Sequence, residues 1–334
     1  DNNSLSLTYS FDRDQPKHRE RSLVNEQRIK LAWVDRALGK GTLRFSYEFA
    51  YRDGGPYTAD PYQAFYSTAL PGFVTPPLGN VAFTTDAMRK YDLSNRVENK
   101  LRAIVIYPLG DTATISGVVY ATCDNYGAAV GRQATRNQGF SLDWDWQPSP
   151  LTSVGANLGR DDSRLKFSNV ADFENLPGPH NDPSLGGPLY PFSNLWLDDD
   201  RERDYNAGLT LRHDLGRVRM DFSYNYTYAL GKLGFAFASP GAVSIFQQPF
   251  VDSVGNAFPD NHYHINTLQL GFDFSFTRTL GMRVFDLYET GNFSDWHYLG
   301  LQTDPVLDHK VYTDRGPQPH YGANVLGVML NVKL

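Results

Sequence analysis

Cysteine occurs once in this chain, at Cys123, so neither an internal disulfide nor a thiolate metal cluster can form within it. No stretch approaches the roughly 18 to 20 uninterrupted apolar residues of a transmembrane helix, which excludes a helical membrane span. Basic residues are in deficit: 31 Lys and Arg stand against 37 Asp and Glu, for a net charge of -6. With no Lys/Arg-rich cluster interleaved with stacking aromatics, nucleic-acid binding is disfavoured. The haem-attachment pattern C-x-x-C-H is also missing.

Catalytic patterns are equally scarce. There is no G-x-S-x-G elbow and no Ser, His and Asp in a recognisable arrangement. Gly54 and Gly55 read as a turn, because no strand–helix junction or Lys follows to make a phosphate cradle. Cys123, near the end of an expected strand, reads as a structural or surface thiol. His262 and His264 share one strand face at a spacing that could ligate a metal, but no third ligand is near in sequence. His297, His309 and His320 lie in or beside the last long connection and read as loop-edge imidazoles. The run DDDRERD, Asp198 to Asp204, reads as a solvated loop foot, since no Gly-punctuated calcium loop surrounds it. An enzyme is therefore not expected, and neither a cofactor nor a metal is expected in this chain. Asp1 is not an initiator Met, so the sequence reads as a mature form or a portion of something longer.

Aromatic residues are plentiful, with 20 Tyr and 21 Phe, yet the mean hydropathy is -0.44. Alternation reconciles the two. In FSLDWDWQ, Phe140, Leu142, Trp144 and Trp146 fall on one side of an extended strand and Ser141, Asp143, Asp145 and Gln147 on the other. The same period of two recurs in Leu5 to Phe11, Ile29 to Trp33, Leu43 to Tyr51, Tyr205 to Leu211, Val218 to Tyr226, Leu268 to Phe276 and Leu326 to Leu334. Less regular segments near 99–107, 112–123, 151–159 and 281–290 bring the expected number to about 12 strands. Helical periodicity is sustained nowhere, so the chain reads as all-β.

Expected connections alternate in length. RALGKG, LGD, QPSP, DLGR and TRTL are short, while those near 13–26, 52–95, 124–138, 160–203, 230–263 and 291–320 are long. A soluble sandwich has no reason to sort its loops in this way. A transmembrane, antiparallel, up-and-down β-barrel in the bacterial outer membrane does, with short periplasmic turns and long extracellular loops. Residues 1–334 are read as one such domain, either a barrel by itself or part of a larger one, with extracellular loops at 52–95, 160–203, 230–263 and 291–320. The apolar rows are then expected to meet outer-membrane lipid, with Trp33, Tyr51, Trp144, Trp146, Tyr226 and Phe276 facing lipid or its interfaces. The expected lumen-facing charges are Arg28, Lys30, Arg44, Arg212 and Arg219, and opposite them Glu48, Asp143, Asp145, Asp221 and Asp273. A strongly selective pore more often shows a ring of one sign.

Several stretches resemble the MtrB/PioB family of outer-membrane barrels associated with decahaem cytochromes. They are GTLRFSYEFAYRDGGPYTADPYQAFY (Gly41 to Tyr66), MRKYDLSNRVENKL (Met88 to Leu101), SLDWDWQPSPLTSVGANLG (Ser141 to Gly159), LWLDDDRERDYNAGLTLRHDLGRVRMDFSYNYTYALG (Leu195 to Gly231) and LYETGNFSDWHYLG (Leu287 to Gly300). Lys90 to Asn99 corresponds to the family's K-[FY]-D-L-[AS]-x-R-x-x-N, and Ser294, Asp295 and Trp296 to its S-x-D-W. The matches resemble the C-terminal part of a longer member. The resemblance implies a porin-like sheath that holds and insulates a multihaem c-type cytochrome, the haem belonging to that partner, so that electrons cross the outer membrane. A porin for small solutes is the alternative. Twelve strands enclose a lumen narrow for a haem-bearing polypeptide, so either further strands lie outside this sequence or the cargo is slimmer.

Overall fold

A computed structural model describes residues 3–36, 39–58, 88–170, 195–237, 259–295, 306–307, 310–311 and 320–332. The chain forms β1 (Asn3–Asp14), β2 (Val24–Asp35), β3 (Thr42–Gly54), β4 (Met88–Arg89), β5 (Arg96–Pro108), β6 (Ala113–Tyr126), β7 (Val130–Ser149) and β8 (Thr152–Val170). It continues with β9 (Leu195–Asp214), β10 (Val218–Phe237), β11 (Asn261–Ser275), β12 (Leu280–Ser294), β13 (Val306–Leu307), β14 (Lys310–Val311) and β15 (His320–Val332). Twelve of these pair antiparallel in the order β1-β2-β3-β5-β6-β7-β8-β9-β10-β11-β12-β15, each next to its neighbour in sequence. The short β4 joins the same sheet in parallel against β7, and β13 and β14 pair apart from it. The all-β, up-and-down reading therefore holds.

The short turns LGD, DLGR and TRTL fall where the sequence places them; the one expected at QPSP shifts to residues 150–151, because β7 runs to Ser149 and β8 starts at Thr152, and residues 37–38 of RALGKG lie outside the described residues. Between β9 and β10, the Asp214 carboxylate accepts a bond of 2.8 Å from the amide of Gly216, whose φ of 86° suits a residue without Cβ.

At the opposite end the expected boundaries need correction. The long connection expected at 124–138 is only residues 127–129, because β6 runs to Tyr126 and β7 starts at Val130. DDDRERD is not a loop foot but part of β9, and β8 and β10 also run into the ranges expected as loops. The physical reason is common to all of these. Strands of 19 or 20 residues exceed the roughly 9 to 11 that cross a bilayer, so their outer portions rise beyond the hydrocarbon, both faces turn polar and the apolar alternation is lost. The interiors of the remaining long connections, together with Trp296, His297 and His309, lie outside the described residues.

Almost nothing is buried in the usual sense. Among the described residues the buried apolar side chains are Val24, Ala50, Leu93, Val130 and Ala229. Most gather at the long-connection end, where residues 15–23 and 88–95 fold against the sheet. There Arg21 donates to the carbonyl of Leu93 at 2.7 Å and to Asn95 Oδ1 at 2.9 Å, and Arg52 donates to Ser94 O at 3.0 Å. A bulge in β7 makes room for β4: Gly131 has φ of 110°, and a Cβ there would lie 2.6 Å from the carbonyl oxygen of Arg89.

The sheet is not closed among the described residues, since β1 pairs only with β2 and β15 only with β12. Exposure follows that fact. Leu7 on β1 and Leu326 on β15 are each 73% exposed, whereas Leu31, next to β1 but one strand in, is 36% exposed.

Candidate functional site

Register carries one set of faces without interruption through the twelve strands. Starting from Lys30, opposite Glu48, the polar face runs through Arg28, Arg44, Asp143, Asp145, Arg212, Arg219, Asp221 and Asp273. All ten charges singled out in the sequence thus share one face. Trp33, Tyr51, Trp144, Trp146 and Tyr226 lie on the other, and Phe276, just past β11, stacks on Phe274 of that face with centroids 6.4 Å apart. Trp144 and Trp146 stack at 5.8 Å. Leu43 to Tyr51 spans nine residues, about 27 Å along the strand. Aromatics mark both limits of this band: Trp33, Trp146 and Phe276 toward the short turns, Tyr51 and Tyr205 toward the long connections.

The polar face divides into two ion-pair networks. Near the long connections, Arg96 holds Glu26 at 3.1 Å and Glu98 at 3.2 Å, Arg28 holds Glu26 at 2.5 Å and Glu48 at 3.2 Å, and Lys100 holds Glu98 at 2.9 Å. Glu98 is only 2% exposed, so this carboxylate depends on its cations rather than on water. Near the short turns, Asp221 takes Arg212 at 2.7 Å, while Asp273 takes Arg219 at 2.9 Å and Arg283 at 3.1 Å. Lys30, Arg44, Asp143 and Asp145 form no ion pair among the described residues. Sequence reasoning missed Arg96, Glu98, Lys100 and Arg283. For the first three the signal was present, since RVENK places a charge at every second residue of β5.

Among the described residues the histidines do not assemble. His262 and His264 lie on the apolar face of β11, opposite Leu230 and Tyr228, and His264 and His320 each pair with Asn292 from opposite sides. No group of three or more His, Cys, Asp or Glu is placed to hold a metal among the described residues. In β9, alternation splits DDDRERD: Asp198, Asp200, Glu202 and Asp204 share the polar face, and Asp199, Arg201 and Arg203 the other. Burial, reinforced by the neighbouring carboxylates, pushes Asp198, Glu202 and Asp204 above the usual carboxylate range. Hydrogen bonds from Arg164 and then Arg201 pull Asp199 well below it.

Cys123 lies on the same face of β6 as the apolar rows, opposite Asn99 and Arg136, as a partly covered thiol. No helix among the described residues is long and apolar enough to cross a membrane. What crosses is the sheet: twelve antiparallel strands with one ion-paired face, and one apolar face that protein leaves uncovered over Phe140, Leu142, Leu158 and Leu209. That combination defines an outer-membrane β-barrel protein. The chain belongs to the MtrB/PioB family, described as "Putative outer membrane beta-barrel porin, MtrB/PioB", which matches residues 2–334. No curated protein matches it.

Solved structures share the fold at low identity. The copper transporter OprC is 10% identical with a TM-score of 0.53 and covers 98% of this chain and 41% of its own. The ferric citrate transporter FecA in its unliganded form is 9% identical at 0.52, covering 99% and 42%. BauA, the ferric preacinetobactin receptor from Acinetobacter baumannii, is 11% identical at 0.52, covering 98% and 44%. The chain thus spans about two fifths of these barrels, and its place is the outer membrane.

Proposed function

We propose that this chain is the wall of a sheath that holds a multihaem c-type cytochrome across the outer membrane and keeps lipid away from its haems. In this reading the apolar face lies against lipid, the polar face lines the lumen, the long connections are extracellular, and the whole of 1–334 acts as one barrel-forming domain. The chain performs no catalysis, and the haem is carried by the partner.

The observation that supports it is the charge pattern of the polar face. Within the aromatic band most charges are neutralised across strands, and the spare ones are of both signs: Lys30, Arg44 and Arg102 on β2, β3 and β5, Asp143 and Asp145 on β7; the one-sign row Asp198, Asp200, Glu202 and Asp204 lies beyond that band, toward the long connections. A wall of this kind suits a folded polar cargo that supplies complementary charges, whereas an ion-selective pore concentrates one sign. Among the described residues the outer edges of β1 and β15 carry unpaired backbone groups, which hydrocarbon does not tolerate. They require partners, and a lumen wide enough for a haem-bearing polypeptide calls for further strands rather than for β1 pairing with β15.

Purification from native membranes tests the reading. A haem-staining band that stays with the barrel through size exclusion is the expected result. A colourless barrel that conducts ions steadily in a planar bilayer overturns the sheath in favour of a solute porin, the function named in the family's description.

A further inference from the structure

Beyond the aromatic band, β7 to β10 continue toward the long connections, and the face that carries Trp144 changes chemistry there. Level with Phe140 and Tyr205 stands Arg160. One step further, Gln138, Asp162, Arg203 and Leu230 share a row. The next row is entirely cationic: Arg136, Arg164, Arg201 and Lys232. Lys166 and Asp199 follow.

Three carboxylates oppose these cations: Asp260 holds Lys232 at 2.6 Å, and Asp162 and Asp199 are each shared. Asp162 binds Arg160 at 2.7 Å and Arg203 at 2.5 Å, and Asp199 binds both Arg164 and Arg201, the latter at 2.9 Å. One carboxylate between two guanidinia orients both forks and leaves donors and a net positive charge. Arg136 and Lys166 form no ion pair among the described residues. Between these side chains lies a surface depression of about 460 Å³, bordered by Leu230 on its apolar side.

The height of this row matters. Arg136 is ten residues from Trp146, about 34 Å along the strand. At a tilt near 40° that is about 25 Å of height, the thickness of a barrel's apolar band. The row therefore meets the headgroup level on the side of the long connections, directly above exposed Phe140, Leu158 and Leu209.

We propose that this row is a binding site for the phosphate groups of a phosphorylated glycolipid of the outer leaflet, whose acyl chains lie against Phe140, Leu158 and Leu209. The site rests on the reading that the face of Trp144 meets lipid. Charge selects a phosphate, and the continuous apolar surface beneath selects an amphiphile over a soluble anion or an acidic protein.

The test uses the full chain in detergent, titrated with the doubly phosphorylated, acylated glucosamine disaccharide (lipid A) and with its dephosphorylated form. The expected result is binding of the first at least tenfold tighter, and loss of that preference in Arg136→Gln with Arg201→Gln. The double Lys variant at these positions retains most of it. Equal affinity for the two lipids overturns the site, and so does full displacement by millimolar inorganic phosphate. Should the Gln variant fail to assemble, the two lipids compared on the unaltered protein decide. A variant keeping only Trp144 is examined separately with brominated acyl chains. Quenching without phosphate preference removes the site alone, and absence of quenching removes the facing as well.

Discussion

Glu48 stands directly opposite Lys30 across β2 and β3, yet its carboxylate is held by Arg28 at 3.2 Å and by Lys100 at 3.8 Å. Lys30 is thereby left as a spare cation on the polar face, as is Arg44 four residues from Glu48. If a cargo protein fills the lumen, such charges set its register more than its bulk affinity. Lys30→Glu with Arg44→Glu is expected to leave assembly intact and to weaken cargo retention about tenfold, equivalent to roughly 1.4 kcal/mol. The ratio of haem to barrel after purification measures it, and an unchanged ratio shows that these charges face no partner.

Arg96 is the keystone of the larger network. It reaches Glu26, Glu98 and Asp124, at 3.1, 3.2 and 3.9 Å. Arg96→Met leaves three carboxylates facing one another, with Glu98 shut away from water, and breaking such a buried arrangement costs about 3 to 5 kcal/mol. Lys100→Met also removes a partner of Glu98, but its ammonium is 44% exposed, and such a pair contributes about 1 kcal/mol or less. Urea unfolding in lipid vesicles should rank the two variants in that order. Equal midpoints would mean that water reaches Glu98.

The segment folded against the long-connection end carries its own pH dependence. Burial pushes the Glu20 carboxyl up, but hydrogen bonds from Lys90 and backbone, with the charges of Lys90 and Arg19, outweigh it and hold Glu20 below the usual range. A depressed carboxyl contributes stability that is complete above its ordinary value and lost as pH falls through the depressed one, below about pH 4. Lys90, raised chiefly by its bond to Glu20, loses its share only at high pH. The amides of Leu93 and Ser94, bonded to Lys90 O at 3.0 and 2.9 Å, should therefore lose hydrogen-exchange protection in acid before the strands do. Glu20→Gln should show the same loss at neutral pH.

How far the sequence could be read depended on which solvents the two faces of a strand meet. In β3 the contrast between Phe45, Tyr47 and Phe49 and their neighbours Arg44, Ser46 and Glu48 is complete, so the strand and the division of its residues between two faces were legible. In β7 the same holds from Phe140 to Trp146, but from Val130 to Gln138 both faces are polar and the period of two carries no hydrophobic signal. The missing half of β7, the strand nature of Asp198 to Asp204 and the cations on the face of Trp144 all follow from that single loss. Spacing alone could not pair the charges. Glu48 binds its diagonal neighbour Arg28 rather than its direct partner Lys30, a choice made by side-chain reach.

Asp286 tests which face hydrocarbon touches. Register places it on the apolar face, between Leu270 of β11 and Leu326 of β15, with Val284 and Tyr288 on either side along β12. It lies six residues from Leu280, about 20 Å along the strand and some 15 Å in height at the usual tilt. A carboxylate at that depth on a lipid-facing wall costs less than the roughly 2 to 4 kcal/mol of a midplane Arg or Lys, but the cost is not zero. Asp286→Leu should therefore raise barrel stability in bilayers by about 1 kcal/mol, read from the urea midpoint, and Val284→Arg should lower it by about 2. Should Asp286→Leu instead destabilise the barrel while Val284→Arg is tolerated, this stretch of β12 meets water or another protein, and the assignment of lipid to the face of Trp144 fails at that edge of the sheet.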